Sequence, residues 1–314
     1  MKIVYYRCHE TLGFNEVTML RELGHQVRVA CSNGGKEVLY YNSSNLIAGN
    51  MRPDVEFDYF ELEEADACIW CYHHHQMVDS IKRYARGKKL FWRFIGQSNS
   101  NWEANFARLK EEHGLKFIRY SPTESLMGNY AGQDALIRFG IDPLEYNGYT
   151  GKIPRIAISC NHMMRRENVC SSTKMLDIVE KKEHIIFGLN NDFSEFCVKP
   201  SYDDFRRELS NSRLFLTAGT IPASYTLGFA ESLMTGIPVV VYDNGYPLNE
   251  MRSIITHGVN GFISNNVKEL REICDELLND IEYAKEIGEK GRETAIKLFS
   301  IDNIKEQWRQ FLSK

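Results

Sequence analysis

The amino-acid sequence predicts an α/β protein of two Rossmann-like α/β/α domains, each built on a parallel sheet. Its 314 residues exceed the usual size of one hydrophobic core, so two domains of roughly 150 residues are expected. Short apolar runs alternate with amphipathic segments along the chain, as in a sheet wound with helices. A turn-rich stretch at 141–154 interrupts this alternation. We therefore expect domains at 1–152 and 153–299, with a cleft between them.

The composition is that of an ordinary globular protein. Hydrophobic residues make up 43% of the chain, and the formal net charge is -4, so no overall field attracts nucleic acid or an anionic membrane. The sequence has no secretory signal and no apolar stretch of about 18 residues, the length that a membrane span requires. We expect a cytoplasmic protein without stable membrane insertion.

The first βαβ unit is assigned from its turn residues and apolar spacing. Residues 3–8 are predicted to form a strand, Asn15 to cap a helix, Gly24 to end it, and 27–30 to form the next strand. In the rest of this domain, strands are expected at 67–70, 90–95, 117–120 and 136–139, with helices near 78–85, 102–112 and 123–130.

The same alternation restarts after the turn-rich stretch. Strands are expected at 155–160, 184–189, 214–217 and 238–242, with helices at 173–179, 202–209 and 228–235. The C-terminal region is largely helical. Its final segment carries an apolar stripe that must pack on another element, formed by Ile304, Trp308, Phe311 and Leu312.

The most informative segment is 215–244, which reads FLTAGTIPASYTLGFAESLMTGIPVVVYDN. A strand, a loop and a short helix place unpaired backbone N–H groups at the edge of the sheet, where a diphosphate can bind. The residues that would form this binding turn are Ser224, Tyr225, Thr226, Leu227 and Gly228. Glu231 lies near the same edge and can accept both hydroxyls of a ribose. Taken alone, Glu231 is equally well explained as an acidic residue that favours the helix start.

Three motifs favour the ribose-binding interpretation of Glu231 over its interpretation as a helix-start residue. SYTLGFAESLMTGIPVV at 224–240, HGVNGFI at 257–263 and KLFSIDNIKEQW at 297–308 resemble the C-terminal domain of retaining glycosyltransferases with the GT-B fold, of the glycosyltransferase family 4 type. The resemblance covers about 154–314 well. In the first half it is limited to GHQVRVA at 24–30 and IRFGID at 137–142. It implies two Rossmann-like domains and a final helix, about 300–314, that joins the first.

The resemblance assigns roles to individual residues. Glu231 matches the second Glu of the EX7E motif, which holds the ribose, whereas the first Glu, which contacts the donor sugar, is replaced by Ala223. In the loop CNHMMRRENVC, Arg165 and Arg166 would neutralise the departing diphosphate, and Asn161 or His162 stands where the family has an Arg. The alternative is a solvated basic turn. The base-binding loops correspond to Gly188 and to the backbone at Val198.

The resemblance also reaches the first domain. The family places a His before a Gly after the strand that here ends RFIGQSNS, but Ile95 occupies that position. Gln97 and Asn99 are candidates to donate hydrogen bonds there instead. His73, His74 and His75 follow another strand, but neighbouring side chains on extended backbone point to opposite faces, which disfavours a metal site.

A run of basic and aromatic residues in the first domain allows two interpretations. It is either a patch for an anionic partner or, as we prefer, a solvated helix face that leads into a buried strand. Its members are Lys82, Arg83, Tyr84, Arg86, Lys88, Lys89, Phe91, Trp92, Arg93 and Phe94.

These observations predict a glycosyltransferase of the hexosyltransferase type (EC 2.4), retaining and metal-independent, since no D-x-D sequence occurs. It would need no cofactor and would use a nucleotide-diphosphate sugar as donor. The acceptor stays open among a saccharide, a lipid-linked sugar, a protein and a modified DNA base. The alternatives are a nucleotide-sugar epimerase or hydrolase on the same fold, and a non-catalytic nucleotide-sugar-binding protein.

Overall fold

The chain folds into two compact units. The computed structural model describes residues 1–6, 10–33, 36–38, 60–71, 81, 87–96, 98–191, 193, 195–198 and 201–314. The first unit contains the described residues up to Gly140 together with Ile301–Lys314, and the second contains those of Ile141–Ser300.

The first unit is built on a sheet of seven strands within the described residues. Its strand order is β3-β2-β1-β4-β5-β6-β7, and every neighbouring pair is parallel except β2 and β3. The strands are β1 (Lys2–Tyr6), β2 (Gln26–Asn33), β3 (Lys36–Val38), β4 (Ala67–Trp70), β5 (Lys89–Arg93), β6 (Lys116–Arg119) and β7 (Ala135–Leu136).

Two helices of this unit show where local prediction succeeded and failed. Helix α1 (Glu10–Glu22) begins before Asn15, so the predicted cap was wrong: the Asn15 amide instead donates to the Gly140 carbonyl at 3.2 Å. Helix α2 (Ser100–His113) is capped by Asn99, whose side chain accepts from two backbone N–H groups. The helix expected at 123–130 is a short 3-10 turn, Pro122–Leu126.

In the second unit, the described residues form a parallel sheet of six strands in the order β10-β9-β8-β11-β12-β13. The strands are β8 (Ile153–Ser159), β9 (His184–Phe187), β10 (Cys197–Val198), β11 (Ser212–Thr217), β12 (Val239–Tyr242) and β13 (Phe262–Ser264). The helices are α3 (Glu167–Cys170), α4 (Ser172–Val179), α5 (Tyr202–Asn211), α6 (Leu227–Thr235), α7 (Met251–Ile254), α8 (Val267–Asn279) and α9 (Ile281–Phe299). The prediction of an α/β chain built on two largely parallel sheets is confirmed.

The strand order of the second sheet defines a crevice. From the central strand β8 the chain first builds outward to β9 and β10, and then returns to place β11, β12 and β13 on the other side. The loops that follow β8 and β11 therefore diverge at the carboxyl edge of the sheet. Ligands of open α/β sheets bind at such a point, where the direction of winding reverses.

The last helix, α10 (Ile301–Leu312), belongs to the first unit although it follows the second in sequence. Ile304 and Trp308 are fully buried, and the Phe311 ring packs on Phe91 with 5.3 Å between ring centroids. The apolar stripe seen in the sequence therefore completes the core of the first unit.

The first unit ends at Gly140, before the expected boundary at residue 152. The connecting segment is held by the second unit: the Ile141 N–H donates to the Phe299 carbonyl at 2.8 Å, and the Thr150 N–H donates to the Ser210 carbonyl at 3.0 Å. Turn residues in the sequence predicted a connection here, but these long-range hydrogen bonds determine that the connection belongs to the second unit.

The described residues contain neither a membrane-spanning helix nor a cluster of metal-ligating side chains. None of their helices is both long and apolar enough to cross a bilayer. Over the same part of the chain, no three His, Cys, Asp or Glu side chains are grouped as a metal site would need.

Candidate functional site

Helix α6 begins at the crevice of the second sheet, with backbone N–H groups open. The Thr226 hydroxyl caps the helix by accepting from the Phe229 N–H at 3.3 Å, and it keeps its own proton to donate. The N–H groups of Leu227 and Gly228 have no hydrogen-bond partner among the described residues. Such a helix end, with its positive dipole, is suited to hold an anion.

The loop after β8 reaches the same place. A Cβ built on Gly228 would lie 3.6 Å from the Cβ of Ser159, the last residue of β8. Before α6, the Ile221 N–H donates to the Val169 carbonyl in α3 at 2.8 Å. The turn that carries Arg165 and Arg166 directly precedes α3, so this bond ties that part of the β8 loop to the approach to α6.

Two asparagines hold the β8 loop against the β9 loop. The Asn161 Oδ1 accepts from the Leu189 N–H at 2.8 Å. Asn191 donates to the Cys160 carbonyl at 2.6 Å and accepts from the Met163 N–H at 2.8 Å. Asn161, expected to contact the donor, thus engages its side-chain oxygen within the protein and retains its amide N–H groups for a ligand.

Gly188 makes this contact between loops possible. Its φ is 149°, and a Cβ at this position would lie 2.3 Å from the Cys160 carbonyl oxygen. No larger residue fits without moving backbone. Its N–H donates to the carbonyl of Val198, at the end of β10, at 3.0 Å, so the two predicted base-binding positions adjoin.

The two arginines of the β8 loop differ in their exposure and in their hydrogen bonds to the rest of the protein. Arg165 is exposed, and its guanidinium forms no ion pair or hydrogen bond within the described part of the chain. Arg166 is half-buried and donates to the Asn161 carbonyl at 3.3 Å. The Cys170 pKa is lowered to about 7, chiefly by hydrogen bonding with Cys160 and also by the charge of Arg166. The loop therefore carries the exposed charge of Arg165 and the half-buried charge of Arg166.

Glu231 lies one turn into α6 and is 6% exposed. The Tyr146 hydroxyl donates to its Oε1 at 2.6 Å, while Oε2 makes no hydrogen bond within the described residues. Burial raises the pKa of Glu231 to about 7, although the Tyr146 hydrogen bond and the Arg206 charge both lower it. At pH 7 roughly half of the Glu231 side chains are therefore ionised, and Oε2 accepts no hydrogen bond from the described residues.

The remaining predicted residues of the turn lie deeper. Ser224 and Tyr225 are each 1% exposed, and the Tyr225 ring packs on Phe299 with 5.3 Å between centroids. A buried phenol of this kind stabilises the turn rather than contacting a ligand. Ala223, in place of the family's first Glu, is half-buried, and its N–H donates to the Thr220 carbonyl at 2.6 Å.

In the first unit, the expected Gln97 and the three histidines at 73–75 lie outside the described residues. Gly96 is described, with φ 81°, and the Ser98 hydroxyl after it donates to Glu103 at 2.6 Å. Arg119 also donates to Glu103, through two nitrogens at 2.9 and 2.7 Å. A buried ion pair therefore anchors the residue that follows Gln97.

The basic run of the first unit does not form a patch as far as it is described. Arg93 is fully buried and ion-paired with Glu16 at 2.6 Å, and the Lys88 ammonium is held by the carbonyls of Glu63 and Ala65. Phe91, Trp92 and Phe94 are in the core. The buried strand of the preferred interpretation is therefore present, whereas the residues of its helix face, Lys82, Arg83, Tyr84 and Arg86, lie outside the described part of the chain.

Sequence reasoning missed the residues around Glu231. Tyr146 comes from the start of the second unit, Tyr202 and Arg206 from α5, and Arg292 from α9. Tyr146 stands before Asn-Gly in a stretch that reads as a turn, so no local signal identifies it. Only its contact with Glu231 reveals it.

A groove of about 520 Å³ also lies beside Tyr146, lined in part by Arg207, Ser210 and Thr235. These residues belong to the later turns of α5 and α6, away from the open amides at the α6 start. The groove is therefore separate from the proposed phosphate position.

Comparison with known proteins gives a fold but no close relative. No family model and no curated protein matches the chain. Among solved structures, sucrose-phosphate synthase from Thermosynechococcus elongatus aligns over 100% of this chain and 98% of its own, with TM-score 0.72 and 12% identity. Anabaena HepE in complex with UDP-glucose aligns over 100% and 99%, with TM-score 0.71 and 13% identity.

The chain has the GT-B fold. A glycosyltransferase from Rickettsia africae, at 14% identity, has a similar fold over 99% of this chain and 98% of its own, with TM-score 0.69. The chain spans about half of S. aureus TarM in a complex with UDP: 79% of this chain aligns with 55% of that protein, at TM-score 0.62 and 12% identity. At these identities the shared property is the fold.

Proposed function

We propose that this GT-B protein is a glycosyltransferase of the family 4 type, which moves a sugar from a nucleotide-diphosphate donor to an acceptor. The main support is the crevice of the second unit, where the open N–H groups of α6, the free charge of Arg165 and the buried carboxylate of Glu231 belong to neighbouring elements. Solved structures with this fold contain UDP-glucose or UDP.

Each group has a distinct part in this proposal. The α6 N–H groups and Arg165 with Arg166 hold the diphosphate and stabilise its charge as the glycosidic bond to it breaks. Glu231 accepts the ribose hydroxyls. The loops at Gly188 and Val198 hold the base through backbone groups. Positive charge from arginine and amides makes a metal ion unnecessary, and the family resemblance favours retention of anomeric configuration.

The acceptor is assigned to the first unit. Gln97 would donate a hydrogen bond to the transferred sugar or to the acceptor from the loop after β5, in place of the family's His. We propose a cytoplasmic enzyme without a cofactor, and leave the acceptor among the four classes named from the sequence.

The binding site can be tested by thermal shift with UDP-, GDP- and ADP-sugars. We expect the nucleotide sugar of one base to stabilise the protein, by about 2.7 kcal/mol when its concentration is 100 times its dissociation constant. Glu231→Ala should abolish the shift because it removes the ribose acceptor. Glu289→Ala, an exposed carboxylate of α9, is the matched control and should keep it. Wild-type binding by the Glu231 variant would refute the site.

Ala223 favours one rival, a non-catalytic nucleotide-sugar-binding protein, because the carboxylate that would contact the donor sugar is missing. Donor binding without turnover, across saccharide, lipid-linked, protein and DNA acceptors, would support that rival. Transfer to any of them supports the enzyme, and donor turnover without acceptor supports an epimerase or hydrolase.

A further inference from the structure

Two phenols form a chain of hydrogen bonds that ends on Glu231. The Tyr146 hydroxyl donates to Glu231 and is also hydrogen-bonded to the hydroxyl of Tyr202. A phenol has one proton, which Tyr146 gives to the carboxylate, so Tyr202 must be the donor in the second bond. The direction is therefore from Tyr202 to Tyr146 to Glu231. Tyr146 is 3% exposed, so both hydrogen bonds are buried.

The two rings are held from several sides. The Arg206 guanidinium lies over the Tyr202 ring, 4.7 Å from its centroid, and the Tyr202 and Tyr146 rings meet edge to face at 6.1 Å. Arg292 donates to the carbonyls of Tyr146 and of Met234 in α6, and to the Pro143 carbonyl at 2.8 Å. Tyr146 is thus attached to α6 through both its backbone and its hydroxyl.

We propose that Tyr146 is a positioning residue for donor binding: its hydroxyl orients the Glu231 carboxylate so that Oε2 can receive the ribose diol. The inference rests on the proposed function, because it takes Glu231 as the ribose acceptor. It adds to that site a residue from the start of the second unit.

Electrostatics supply the physical reason. Burial disfavours the charged form of Glu231 and raises its pKa to about 7, and the Tyr146 hydrogen bond opposes this. Among the described residues, Tyr146 and Arg206 of α5 act on the Glu231 carboxyl directly. Tyr202 of α5 contacts Tyr146, and Arg292 of α9 lies at the end of α6. The pKa of Tyr146 is raised well above its usual value by burial and by Glu231, so it stays a donor at neutral pH.

Tyr146→Phe keeps the ring and removes only this donor. The pKa of Glu231 should then rise further, so less carboxylate is present at pH 6.5. For a rise of one unit from about 7, the ionised fraction falls about eightfold at pH 6.5 and less than about 1.5-fold at pH 8.5. We expect the affinity for UDP, or for whichever of UDP, GDP and ADP binds the wild type, to fall by these factors.

The 2′,3′-dideoxy form of the same nucleotide is the control ligand. It has the same base and phosphates, so Tyr146→Phe should leave its affinity unchanged at both pH values. Tyr202→Phe removes the donor to Tyr146 and should weaken diol binding in the same direction but by less. An equal loss for the dideoxy ligand, or no loss, would overturn the positioning role.

A different set of binding results would refute the proposed function itself. If wild-type protein binds the diol and dideoxy nucleotides equally well, or if Glu231→Gln binds the diol as well as wild type, Glu231 is not the ribose acceptor and both proposals fall. Another pattern would refute only the role of Tyr146. In that pattern the wild type prefers the diol nucleotide, Glu231→Gln loses this preference, and Tyr146→Phe retains it at pH 6.5.

Discussion

Gly188 is the residue at which side-chain size most directly limits the candidate site. Its positive φ and its distance to the Cys160 carbonyl leave no room for a Cβ, and the β8 and β9 loops meet there. The sequence marked this glycine only through the resemblance. The reason for a glycine lies in the other loop, 28 residues away in sequence, where Cys160 is found.

Gly188→Ala should destabilise the second unit by at least about 2 kcal/mol, from backbone strain and the clash with a carbonyl. Urea unfolding followed by far-UV circular dichroism measures it. Gly258→Ala is the matched control: it has φ 75° but no atom within 4 Å of the added Cβ, so it should cost about 1 kcal/mol. Equal losses would show that the close approach to Cys160 is not what requires glycine.

The buried charges of the first unit are a second feature at this scale. Burial raises the pKa of Glu103, but Arg119, the Ala131 N–H and the Ser98 hydroxyl together outweigh it, so its pKa is lowered. Glu124, also beside Arg119, has its pKa raised to about 7 by burial. Charged residues usually indicate surface. Sequence patterns therefore could not predict that Arg93 and Arg119 would be fully buried.

At the scale of elements, the apolar stripe in the sequence identified helix α10, whereas contacts in the structure identify the surface on which this helix packs. The stripe required an apolar partner, which proved to be the first unit: the Arg93 guanidinium lies 5.9 Å from the Trp308 ring centroid, and Phe91 contacts Phe311. Helix α1 shows the opposite case, because a plausible cap at Asn15 was overridden by a helix that starts earlier.

Trp308→Ala should destabilise the first unit by about 3–5 kcal/mol, the usual cost of a large cavity in a core. Tryptophan fluorescence during urea unfolding measures this through the remaining indoles. Trp308→Phe should cost less, because the buried indole N–H has no partner within the described residues and contributes no hydrogen bond.

Leu126→Ala is the control in the same unit, since Leu126 is 65% exposed, and its effect should stay within about 0.5 kcal/mol. A similarly small effect of Trp308→Ala would mean that α10 does not complete this core.

At the scale of the whole molecule, the tryptophans are distributed unequally. All four, Trp70, Trp92, Trp102 and Trp308, belong to the first unit, whereas the candidate donor site belongs to the second. Fluorescence therefore reports on one unit, and far-UV circular dichroism on the helices of both.

A nucleoside diphosphate that binds the second unit should raise the melting midpoint seen by circular dichroism more than the midpoint seen by tryptophan fluorescence. Binding stabilises the unit whose folded state holds the ligand. The measurement is paired melting curves with and without saturating nucleotide, and Glu231→Ala should remove the difference. Absence of a shift in the circular dichroism midpoint would contradict donor binding by the second unit.

Local sequence patterns predicted the fold class, most strands, the apolar stripe of α10 and the strand, loop and helix around Glu231, because alternating apolar patterns and turn residues act over a few neighbouring positions. Tertiary structure decided what depends on distant residues: the division after Gly140, the need for glycine at 188, the burial of Arg93 and Arg119, and the contact of Tyr146 with Glu231. These last features arise because burial and hydrogen bonding act through space, between residues whose separation in sequence carries no periodic signal.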